Sequence, residues 1–101
     1  MFQFENDVLS VKQAISIAQD ALDHFVLCVQ GEISSMSMSP RYSAVYFTIK
    51  DDDDKASLSC LIWKNRYSSL DLNLEEGMLV NLTGRFSIYP KKGNLTFDVY
   101  S

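Results

Sequence analysis

The sequence is poor in the residues that carry most catalytic, redox and metal chemistry. It has a single histidine, His24, and only two cysteines, Cys28 and Cys60. Two cysteines are too few for a disulfide scaffold or a four-ligand zinc site, and reduced, buried thiols in a cytosolic protein are the expected state. There is no Walker loop, GxGxxG, HExxH or CxxC, and no motif sets a nucleophile beside His24, which is expected to cap helix carbonyls. No metal site and no cofactor are expected. No apolar run approaches the roughly 18–20 residues of a membrane span, which argues against a membrane protein. The opening MFQFENDVLS has no basic segment followed by an apolar stretch, so it does not read as a secretory signal.

What is present is ordinary globular material. The 101 residues are 47% apolar and 22% charged, which fits one domain with one modest core. The net charge is −4, but Asp51 to Asp54 account for four negatives, so the rest of the chain is neutral. Residues 1–60 hold nine acidic and four basic residues, and residues 61–101 hold four acidic and five basic ones. Overall acidity therefore says little about a polyanionic partner; what matters is whether one face is basic.

Leu9 to Asp23 reads as a helix. Val11, Ile15, Ala18 and Leu22 form one apolar stripe, and Ser10 followed by Gln13 is a capping-box pattern. Lys12, Gln13, Ser16, Gln19, Asp20 and Asp23 make the polar face, and the helix is expected to plug one end of a core. From Phe25 the period changes to two. Strands are predicted at Phe25–Ser34, Ala44–Lys50, Ala56–Trp63, Met78–Tyr89 and Leu95–Tyr100, with Gly31 and Gly84 inside two of them. Ser35 to Pro40 reads as a loop, Lys64 to Leu74 as an irregular or short helical connection, and Pro90 to Asn94 as a hairpin loop. The acidic string Asp51 to Lys55 could be a divalent-ion site or a protease-cleavable tag. Strands on both sides make it a hairpin turn instead, a setting that suits aspartate.

Five short strands, two with interior glycines, predict a small, strongly curved all-β sheet closed into a β-barrel. The pattern is that of a five-stranded OB-fold with an N-terminal α-helix and a short helical connection between strands three and four. The expected organisation is a tail over 1–8, a helix over 9–24 and the OB-fold over 25–101.

Alternation divides each strand into two faces. Val45, Phe47, Ile49, Leu58, Cys60, Ile62, Val80, Leu82, Phe86, Ile88, Leu95, Phe97 and Val99 are expected inward. The outward set carries the aromatics Tyr46, Trp63 and Tyr89 and the cations Lys50, Lys64, Arg66 and Arg85. Flanking loops add Arg41 and Tyr42 on one side and Lys91 and Lys92 on the other. Cationic residues interleaved with aromatic platforms suit a single-stranded nucleic acid, whose phosphates need neutralising and whose unpaired bases stack on rings. The plainer alternative is that these rings are strand formers that pack under the helices.

An ordered set of short motifs resembles the exodeoxyribonuclease VII large subunits. It comprises Leu9-Ser10-Val11, the GEIS of Gly31 to Ser34, the YFTIKD of Tyr46 to Asp51 and the SCLIWKN of Ser59 to Asn65. The EGM-x-V of Glu76 to Val80 and the GR-x-S-x-Y-x-x-x-G of Gly84 to Gly93 continue it. The set departs from the family at Tyr42-Ser43-Ala44-Val45, at Ser59, and in its longer acidic turn. The resemblance implies the family's N-terminal OB-fold domain, which binds single-stranded DNA and carries no nuclease residues. A nuclease domain and a small partner subunit would lie in or on a longer cytoplasmic, bacterial protein, of which this chain, ending without a capping structure at Tyr100-Ser101, would be a fragment. Tyr46, Trp63 and Tyr89 would then stack bases. Lys50, Lys64, Arg66, Arg85, Lys91 and Lys92 would meet phosphates, with Arg41 reaching from the first loop. A protein-interaction module and an RNA- or tRNA-binding OB domain remain the alternatives, because fold alone does not separate them.

Overall fold

Ser10 and Gln13 start the first helix with the reciprocal bonds that their spacing predicts. Ser10 Oγ accepts from the Gln13 amide at 3.1 Å, and Gln13 Oε1 accepts from the Ser10 amide at 2.8 Å. In a computed structural model, which describes residues 8–53, 56–89 and 92–101, that helix, α1, spans Val11–Leu22. It is followed by β1 (Leu27–Ser37), β2 (Ala44–Lys50), β3 (Ser57–Trp63), α2 (Lys64–Ser69), β4 (Leu79–Tyr89) and β5 (Asn94–Val99). The strands close in a ring in the order β1-β2-β3-β5-β4, with β3 and β5 parallel and the other pairs antiparallel.

β1 is longer than its sequence suggests. Ser35, Met36 and Ser37, expected in a loop, pair with Thr48, Phe47 and Tyr46 of β2. The segment lacks strand-forming residues, but Met36 packs against the core while the serines face out, so tertiary pairing overrides local preference. The irregularity in β1 falls between Ile33 and Ser35 rather than at Gly31. Gly31 instead allows a close approach: a Cβ there would meet Ile49 Cβ at 3.0 Å. Gly84 does the same on β4, where a Cβ would run into the Asp98 carbonyl oxygen. Gly84 pairs with both Leu27 of β1 and Val99 of β5, so β4 changes partner at the one residue that has no side chain to obstruct it.

The core is the inner face of the ring: Ile33, Val45, Phe47, Ile49, Cys60, Ile62, Leu82, Phe97 and Val99. Phe86 meets Phe97 edge to face at 5.4 Å between centroids. Tyr67 of α2, with Leu72 and Leu74 beyond it, packs against this core from the β3–β4 connection. Burial pushes the Cys60 thiol up to about 12, so it stays protonated. Cys28 departs from the expectation of buried thiols: it lies exposed on β1 opposite Thr83.

Two other inward assignments fail for one reason. Leu95 is 49% exposed, and Ile88 is half-buried outside the core cluster. They pair with each other in the β4–β5 hairpin, past Gly84, where β1 no longer accompanies β4. Alternation continues there, but the core layer beneath it does not. Nor does α1 plug an end of the core; it packs along β4 without burying any residue fully. Gln19, expected on its polar face, turns to the strand. Its Oε1 accepts from the Ile88 amide at 2.7 Å and its Nε2 donates to the Phe86 carbonyl at 3.4 Å. One side chain thus bonds backbone groups in the stretch of β4 that β1 leaves unpaired.

Candidate nucleic-acid interface

The outward side chains are arranged in rungs set by the strand register. Ser35, Thr48 and Ser59 share a rung across β1, β2 and β3, and Thr96 and Ser87 pair across β5 and β4. These short hydroxyls keep the floor low. On one side of them stand Tyr46 and, farther along, Trp63; on the other stands Tyr89. The rings are 40%, 43% and 50% exposed. Tyr46, Trp63 and Tyr89, with Leu61, Ser87, Ile88, Asn94 and Thr96, line a groove of about 400 Å³. A second depression of about 310 Å³ continues it past Tyr46 and Thr96 over Ser35, Ser37, Thr48 and Ser59. Tyr42 from the β1–β2 loop meets Tyr46 edge to face at 5.4 Å and extends the aromatic wall. All three aromatics predicted from alternation therefore border one groove, and none is packed away under a helix.

The cations are less free than their outward positions suggest. Lys50 pairs with Glu32 at 3.5 Å, the only ion pair among the described residues. Lys64 Nζ donates to the Ser39 carbonyl at 2.8 Å and so ties the β1–β2 loop to the start of α2. Arg66 donates through Nη1 to the Val99 carbonyl at 3.3 Å and lies over the Tyr100 ring at 4.7 Å. Arg85 approaches the same ring at 6.0 Å and is half-buried, its Nε closed off from solvent without a partner. Arg41 and Lys92 are exposed, in the β1–β2 loop and the β4–β5 turn. Lys91 lies outside the described residues, as do Asp54 and Lys55 of the acidic turn; Asp51 closes that turn by donating its amide to the Ala56 carbonyl.

Two residues of this face carry no weight in the sequence pattern. Tyr100 is the surface on which Arg66 and Arg85 converge. Asp98 shares a rung with Leu61 and Arg85. Burial pushes its carboxyl up from the usual range, while the Arg66 charge and a hydrogen bond from the Trp63 side chain pull it back. Alternation on β5 marks both as outward, but only the cross-strand register shows what they meet.

Residues 8–101 match the family described as OB-fold nucleic acid binding domain. The chain is 35% identical over 91 residues to the exodeoxyribonuclease 7 large subunit of Mycoplasma mycoides subsp. mycoides SC, covering 89% of this chain and 18% of that protein. It is 38% identical over 74 residues to that of Clostridium perfringens, covering 73% and 17%. To that of a Cyanothece species it is 31% identical over 101 residues, covering 96% and 23%. The chain thus spans only about a fifth of the length of these relatives. A closed five-stranded sheet of this order, with its matching sequence, places the chain in the OB-fold nucleic acid binding domain family, homologous over that domain to exodeoxyribonuclease 7 large subunits.

Proposed function

We propose that this domain holds single-stranded DNA across the Tyr46–Trp63–Tyr89 groove and presents it to an exonuclease whose nuclease residues lie outside this chain. The observation that carries the reading is the groove itself. Three exposed rings border one groove of about 400 Å³, lined also by Leu61, Ser87, Ile88, Asn94 and Thr96, on a domain of a nucleic-acid-binding family. Stacking needs only a ring and a base face, so it tolerates any sequence, as a strand-degrading enzyme requires. Serine and threonine hydroxyls donate and accept alike, so the floor adds no strong base preference. Arg41 and Lys92 at the two loop ends would meet phosphates first, with Lys50, Lys64, Arg66, Arg85 and Lys91 adding positive potential around the path. The relatives are named as large subunits, which supports a place beside a small subunit in a longer protein.

The test is a titration with fluorescein-labelled oligo(dT), following anisotropy and Trp63 emission at low and moderate salt. Quenching of the single tryptophan together with a salt-dependent rise in anisotropy is the expected result. A rise without any change in Trp63 emission would move the strand off this groove. No rise at low salt from a folded sample would remove strand binding by this chain and favour a protein-docking role for the exposed rings. Competition by an oligo(U) of equal length separates a DNA preference from an RNA one.

A further inference from the structure

Besides Glu32, which Lys50 engages, an acid sits among the aromatic and cationic groups of the outer face, and strand binding has no use for it. Asp98 occupies the middle of a rung between Leu61 of β3 and Arg85 of β4. The elements around it present Arg85 from β4, Arg66 from α2, the uncharged Leu61 and Trp63 side chains from β3, and Tyr100 just past the end of its own strand. Its Oδ1 is closed off from solvent and has no partner among the described residues, and the Nε of the facing Arg85 is in the same condition. Neither guanidinium closes an ion pair with it; both gather at Tyr100 instead. A fixed anion therefore lies beside two cations at the place where a polyanion would cross.

We propose that Asp98 is an electrostatic brake on this face: ionised, it weakens the hold of Arg66 and Arg85 on a single strand, and a proton on it tightens that hold. The proposal rests on the strand-binding reading above. Burial already favours the protonated carboxyl, and an approaching phosphate favours it further, because like charges oppose ionisation. Binding then takes up a proton, and affinity falls as pH rises through the raised pKa. A brake of this kind acts mainly on dissociation, so the domain grips a strand without retaining it.

Asp98→Asn separates the charge from the structure, since the amide keeps an oxygen that can accept from Trp63. Oligo(dT) anisotropy at low salt, from pH 5 to 8, is the measurement. At pH 7.5 the variant should bind about three- to tenfold more tightly than the wild type, the size expected for removing one charge a few ångströms from a phosphate. Its affinity should also lose the tightening that the wild type shows toward pH 5. Every other group is common to both proteins, so the difference between them isolates Asp98. Binding by Asp98→Asn at pH 7.5 where the wild type binds only toward pH 5 would be the strongest support. Equal or weaker binding by a variant with unchanged thermal unfolding, or an unchanged pH profile, would overturn the brake while leaving strand binding intact. No binding by either protein at any pH would overturn the strand-binding reading and the brake with it.

Discussion

Tyr46, Trp63 and Tyr89 keep two-fifths to half of their surface open beside one groove, whereas Lys50, Lys64 and Arg66 each already have a partner within the protein. Alternation along the strands places the three rings and Lys50 outward, while Lys64 and Arg66 follow β3 in α2. The difference lies in what their neighbours are. A ring carries at most one polar atom, so little draws it in: Trp63 donates to Asp98 and still keeps 43% of its surface exposed. Long cationic side chains reach any carbonyl or carboxylate within range and settle there. Under the proposed strand binding, the aromatic flank would receive bases as it stands, and the cationic flank would exchange internal contacts for phosphate ones. Stacking should therefore dominate affinity on this face, with charge a smaller contribution.

The largest expected effect breaks the crowded flank outright. Gly84→Ala would set a methyl against the Asp98 carbonyl, a backbone atom that cannot step aside. The expected loss is about 3 kcal/mol or more of unfolding free energy in urea, since an overpacked site must shift its backbone. Gly31→Ala meets mainly side-chain atoms of Ile49 and should lose about half as much. Equal losses at the two positions would mean that β4 and β5 are not held as closely as the geometry has them.

Trp63→Ala sharpens the contrast from the open side. Losing one stacked ring costs roughly 1–3 kcal/mol of binding, about tenfold or more in Kd for oligo(dT). Tyr100→Ala, whose ring is already approached by two guanidiniums, should cost about threefold or less. If the two variants weaken binding equally, Tyr100 is itself a base platform and the cationic flank is as open as the aromatic one.

Much of this arrangement is legible along the chain, and the failures share a cause. β2 is bounded correctly because apolar alternation fills its whole length, from Ala44 to Lys50. The end of β1 is missed because Ser35 and Ser37 look like loop until β2 supplies their partners. Leu95 and Ile88 are misassigned because alternation carries no information about where the core stops. Gln19 reads as solvent-facing because nothing in its own helix reveals the unpaired edge of β4 beside it. The orientation of Arg66 and Arg85 is readable, but their convergence on Tyr100 joins α2, β4 and the segment after β5, which are distant in sequence. Local pattern thus identifies the rings of the site and leaves the state of its cations to the register.

The smallest expected effect concerns those cations directly. Each phosphate contact with a single strand contributes about −0.7 to the slope of log K against log salt. Lys92 is exposed in the β4–β5 turn, and no side-chain partner holds it among the described residues. Lys50 must leave Glu32, and that carboxylate then stays near the strand. Lys92→Ala should therefore weaken oligo(dT) binding about two- to threefold and flatten the slope by most of one contact. Lys50→Ala should change the slope least, even though Lys50 is on a strand and Lys92 is on a turn. The reverse order would mean that the Lys50–Glu32 pair opens readily in solution, as many exposed ion pairs do. Position along the strand, rather than prior engagement, would then decide which cations the DNA uses.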